Sequence, residues 1–211
     1  KDVYCQKPES RTLREGPLMV ENARRYGRVV SGGSQRVMAD YRGTVNPCWN
    51  GEKGIIKSIN VNVGPLPRPC NLEGQPVPPG FDWDMWLGPA PKRPWVSQWP
   101  AESLALQQVN RFKPRPAVYH PWNFRGWYDF GTGALGDMGC HHWNTPRRAL
   151  KLGHPTAVSS SSTKIMDESW PLASSITYEF PARGSMPPVK IVWYDGGLKP
   201  PRPVELEADR P

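Results

Sequence analysis

The sequence predicts an α/β (α+β) protein. Three observations carry this expectation. Residues 1–36 read as strand, helix, strand; GIIKSINVNV alternates polar and apolar residues with period two; and three strand-like runs follow a segment, 133–150, that reads as a helix.

Taken in order, KDVYCQKP reads as the end of a short strand stopped by Pro8, and Leu13, Leu18, Met19, Ala23 and Tyr26 give 9–26 a helical pattern that Gly27 would cap. Residues 28–31 form the next expected strand, ending in the Gly32-Gly33-Ser34 turn. Such a unit is half of a parallel crossover and needs further strands beside it. It therefore looks like the tail of a domain. In the strand expected at 54–63, Ile59, Val61 and Val63 share one face and Ser58, Asn60 and Asn62 the other. From Gly64 to Pro121 the chain is rich in Pro and Trp and reads as a wrapping loop, with one short helix at 101–109. Strands are then expected at 157–163, 174–180 and 189–194, before a Pro-rich tail from Lys199.

With 211 residues the chain is long enough to bury a core, and 26 prolines and 20 glycines beside ten tryptophans indicate long ordered loops rather than a low-complexity polymer. The formal charge of +8 is spread through short pairs such as Arg24-Arg25 and Arg147-Arg148, with no run of five. A nucleic-acid or anionic-membrane partner is therefore not expected, and a small anionic ligand would explain the balance equally well. Cys5, Cys48, Cys70 and Cys140 lie far apart with no C-x-x-C spacing and are expected as reduced thiols. No apolar run of membrane-spanning length and no export leader is visible, although the sequence starts at Lys1 without a methionine.

Asp137 and His141, within DFGTGALGDMGCHH, stand four residues apart and would share one face of a helix. That pairing serves either a solvated helix surface or proton transfer at a bound hydroxyl, since histidine titrates near neutrality and a carboxylate can orient it. A metal is not expected at Asp137, His141 and His142, because no further ligand clusters with them.

KDVYCQKP resembles the strand end carrying the Glu-Lys-Pro motif of the Gfo/Idh/MocA oxidoreductases. Residues 133–141 resemble that family's G-G-x-x-x-D-x-x-x-H motif. YDFGTGALGDMGCH, ALKLGHP, YEFPARG and VKIVWYDGG resemble its sugar-linked planctomycete-type members, so the likeness runs from Lys1 to about Pro203. It implies the end of a Rossmann NAD(P)-binding domain over 1–40, then a substrate domain over 41–211. The latter would be an open mixed, mainly antiparallel sheet with helices on one face. The implied function is oxidation or reduction of a sugar, cyclitol or related polyol with NAD or NADP. Lys7, Asp137 and His141 would be catalytic; Gln6, Lys7, Pro8, Gln35 and Arg36 would sit at the cofactor; Trp122, Asn123, Arg125, Trp127 and His142 would sit at the substrate. It further implies a homo-oligomer formed through the sheet face and a bacterial cytoplasmic or periplasmic setting.

The chain departs from the family pattern at Gln6, where the motif has Glu, and at Asn144, where many relatives have Asp. No G-x-G-x-x-G follows a strand, so the diphosphate loop of the cofactor domain is not in this sequence, and the chain is expected to be an internal piece of a longer oxidoreductase, with a standalone protein that has lost dinucleotide binding as the alternative. Gly131, Gly133 and Gly136 have the spacing but no preceding parallel strand. Two alternatives share the residues: an NAD-dependent, redox-assisted glycoside hydrolase, and a non-catalytic carbohydrate-binding or scaffolding protein.

Overall fold

The computed structural model describes residues 1–33, 43–63, 72–98, 117–119, 123–203 and 207. The helix expected at 101–109, and with it Gln35, Arg36, Cys70, His120 and Trp122, lies outside the described residues.

The chain opens with a parallel pair, β1 (Val3–Gln6) and β2 (Val30–Gly33), joined by helix α1 (Glu15–Arg25). The helix begins six residues later than its apolar pattern suggested. Leu13 stands almost wholly in solvent, and Pro17, which lacks an N–H, is accommodated in the first turn where no intrahelical donor is required. Gly27 ends the helix in the left-handed region (φ 57°), and Arg28 N–H returns to Ala23 O at 2.9 Å, closing the expected cap.

The main sheet has the order β3-β6-β5-β4, from β3 (Ser58–Asn62), β4 (Ala157–Ser162), β5 (Ser174–Phe180) and β6 (Val189–Tyr194). One of its three pairings, β3 with β6, is parallel and the others are antiparallel. It is therefore open, mixed and mainly antiparallel. Register aligns the apolar positions in rows across the sheet: Ile59, Ile191 and Tyr178, then Val61, Trp193 and Ile176.

That apolar face is covered by three helices: α2 (Val45–Trp49), α4 (Gly133–His142) and α5 (Asn144–Ala149). Val45, Ala134, Ala149 and Leu150 complete the core over the strands. The opposite face carries Ser159, Thr177 and the exposed pair Lys190 with Glu179, 3.0 Å apart. The single helix expected over 133–150 is divided at Trp143, whose indole packs edge-on to Tyr178 at 4.5 Å, and Pro146 falls in the first turn of the second helix.

A second core lies within the Trp-rich segment. Helix α3 (Trp83–Leu87) is capped by Asp82, whose side chain accepts from Met85 N–H at 2.9 Å, and ends at Gly88 (φ 57°). Trp83 and Trp86 stack at 4.9 Å, and Trp83, Tyr119 and Trp127 bury themselves against Val118 and Leu87. Among the described residues of this stretch, packing of aromatic side chains orders the chain around one short helix.

Asp195 is the buried acid that ties β5 to β6. It accepts from Ser174 N–H and Oγ–H at 2.5 and 2.6 Å and from the Trp193 indole N–H at 2.8 Å. Asp195→Ala removes the acceptor of three donors, the Trp193 indole N–H among them wholly buried, and is expected to cost about 3 kcal/mol, read as a lowered midpoint in urea unfolding.

Candidate active site

Helix α4 presents Asp137 in its second turn, and β1 delivers Lys7 immediately beyond its last residue, where Lys7 N–H continues the ladder to Gly33 O at 2.9 Å. The Lys7–Pro8 peptide is cis. The two side chains meet across 130 residues of sequence: Lys7 Nζ donates to Asp137 Oδ1 at 2.6 Å and also to the Asp137 backbone carbonyl. Arg125, on the 3₁₀ turn Asn123–Gly126, places Nε 2.9 Å from Asp137 Oδ2. Both carboxylate oxygens thus hold a cation, in a cluster where Lys7 and Asp137 are only 10% and 14% exposed. Charges so shielded interact more strongly than exposed ones, which gives the cluster a fixed geometry.

His141 follows one turn later on α4, and its Nδ1 is withdrawn from solvent. A carboxylate anchored by two cations is an orienting group, while an imidazole one turn away is suited to carry a proton.

Glycines allow the helix to start where it does. The space a side chain would need at Gly131 is taken by the Arg125 backbone, whose carbonyl oxygen an added Cβ would meet, and that at Gly133 (φ 70°) by the Trp170 indole at 2.7 Å. Arg93 and Arg11 hold the preceding loop. Arg93 Nη2 reaches Asp129 Oδ2 at 2.5 Å, and Arg11 Nη1 donates to Asp129 O at 2.7 Å and Tyr128 O at 3.2 Å. Neither arginine was flagged by the sequence, because their partners lie far off in the chain and no local pattern marks them.

The other expected site residues divide. Arg125 joins the cluster, but on Asp137, and its guanidinium also lies over the Phe124 ring at 4.9 Å. Trp127, expected at the substrate, is instead a core residue: it is 0% exposed, its indole N–H donates to Val118 O at 3.0 Å, and Tyr119 packs edge-on to it. His142 turns its ring toward Trp193 in the sheet core, with centroids 6.3 Å apart, rather than sharing the Asp137 face. Asn123 spends its amide on Ala117 O at 2.5 Å. Gln6 and Pro8 are exposed beside Lys7 at the end of β1.

The described residues fit only one end of a dinucleotide. Gln6 and Lys7 could face a nicotinamide, but no cradle for the diphosphate accompanies them. Protein atoms fill the approach to Gly131 and Gly133. The start of α1 is held by the Glu15 carboxylate, which accepts from Thr12 and Arg11 N–H at 3.0 and 2.6 Å. These two bonds hold its carboxyl below the usual carboxylate range. A second anion at that helix start would meet the carboxylate rather than unoccupied donors.

No family model matches the chain, and no curated protein matches it. Among solved structures, 92% of the chain is similar to the crystal structure of an NAD-binding oxidoreductase from Klebsiella pneumoniae, with 16% identity and a TM-score of 0.48. The chain spans 41% of that structure's length.

Proposed function

We propose that the chain carries the substrate side of an NAD(P)-dependent oxidoreductase of the Gfo/Idh/MocA type acting on a sugar, cyclitol or related polyol. In this reading residues 1–40 belong to the cofactor domain and 41–211 to the substrate domain. The observation that supports it most is the 2.6 Å contact between Lys7 and Asp137, because it joins the two separate sequence motifs on which the resemblance rests.

The chemistry follows from the groups present. A bound nicotinamide would supply the hydride acceptor. His141 takes the proton of the reacting hydroxyl, Lys7 stabilises the oxygen as negative charge grows on it, and Asp137 holds Lys7 in place with Arg125 as its second anchor. The test is steady-state formation of reduced nicotinamide by the full-length protein with NAD or NADP and a panel of polyols. His141→Asn is expected to lower kcat by roughly 10² to 10⁴, with KM changed far less. Hydrolysis of an aryl glycoside without net nicotinamide reduction would favour the hydrolase alternative instead.

A further inference from the structure

A cleft of about 660 Å³ opens between residues 10–13, the first turn of α4 and the β4 edge of the main sheet, and none of Lys7, Asp137 and His141 lines it. We propose that it is a second binding site, for a neutral small molecule that joins an apolar ring to hydroxyl groups. This inference stands apart from the redox reading, since it uses none of the residues to which that reading assigns a role.

The size lies within the range of small-molecule sites. The walls are mostly apolar, from Leu135, Ile176 and Trp170, and two large apolar side chains stand uncovered at the mouth: Leu13 at 97% and Ile165 at 69% exposure. An apolar ring seated between them would remove that surface from water. Among these walls stand the hydroxyl-bearing residues Thr12, Thr132, Ser160, Ser162 and Ser174. Behind this wall the Thr132 hydroxyl makes no hydrogen bond among the described residues and caps no N–H of α4, so the polar capacity of the cleft wall is not used up by the fold.

Charge argues for a neutral occupant. The lining has one acid and one cation, and both are engaged. Asp195 gives its two oxygens to Ser174 and Trp193, and Arg11 gives Nη1 to the carbonyls of Tyr128 and Asp129. A cation would meet Asp195 with both oxygens already accepting, and an anion would meet an Arg11 whose charge already acts on the Glu15 carboxylate.

The strand geometry supplies both a probe of the site and its control. Ser160 pairs with Ile176 and lies on the cleft side of β4, whereas Ser159 pairs with Thr177 and lies on the other side; the whole strand is exposed. Titration calorimetry with para-nitrophenyl β-glucoside is expected to show binding, with para-nitrophenyl phosphate weaker by about tenfold. Ser160→Trp, which fills the cleft, and Ile165→Glu, which charges its exposed mouth, are each expected to weaken the glucoside by about tenfold or more, while Ser159→Trp leaves it unchanged. The proposal is overturned if the glucoside does not bind, if the phosphate binds equally well, or if both cleft variants bind like the unaltered protein.

Discussion

Asp137→Ala is expected to destabilise the protein by about 3 kcal/mol, because Lys7 and Arg125 would then face each other, largely shielded from water, with no counter-charge between them. The ion pair itself is not the source of that figure. Desolvation offsets much of its attraction, so removing both charges is less harmful than removing one. A double-mutant cycle separates the two effects: Lys7→Met combined with Asp137→Leu should unfold at higher urea than Asp137→Leu alone, with a coupling of about 1 to 3 kcal/mol. Strict additivity of the two substitutions would mean that the contact does not hold the motifs together.

The second large effect lies in the sheet. Trp193 is wholly buried in the central strand β6, between Val61 and Ile176 on its neighbours, and binds Asp195 through its indole N–H. Trp193→Ala leaves a cavity and an acid short of one donor, and is expected to cost about 3 to 5 kcal/mol, or roughly 10 °C in melting temperature. Trp193→Phe keeps most of the volume and should lose about 1 to 2 kcal/mol, through the missing hydrogen bond. Since α4 packs on this face, the alanine variant should also loosen Asp137, visible as faster amide exchange in the second turn of that helix.

How much of this was legible in the sequence follows from the range of the forces involved. Strands β5 and β6 were readable to the residue, because Ile176, Tyr178 and Phe180, like Val189, Ile191 and Trp193, alternate strictly and bury one face. The start of α1 was not, since Leu13 fits a helical stripe by spacing yet faces solvent. Helix α3 carries a local signal, Asp82 three residues before Met85 and Gly88 just beyond the end, that the surrounding prolines and tryptophans obscure. The short helix α2 and the division at Trp143 depend on packing over the sheet, which short-range pattern does not encode.

The same distinction runs through the site. The two motifs assigned Lys7 and Asp137 to one site but coupled Asp137 to His141; the contact of Asp137 with Lys7, the placement of Arg125 on Asp137, and that of Arg11 and Arg93 on the Asp129 loop come only from the fold. Trp127 shows why an aromatic residue beside a site motif is ambiguous in sequence: the indole that would stack on a sugar is equally suited to fill a core, and here its N–H is satisfied by Val118.

The central claim is that Lys7, held by Asp137, and His141 together act on a substrate hydroxyl. It is tested most directly by the rate of nicotinamide reduction in the full-length protein carrying Lys7→Met or His141→Asn, measured at saturating polyol and cofactor. Each variant is predicted to fold, to bind polyol with little change, and to lose roughly 10² or more in kcat. Turnover equal to that of the unaltered protein in both variants would contradict the claim.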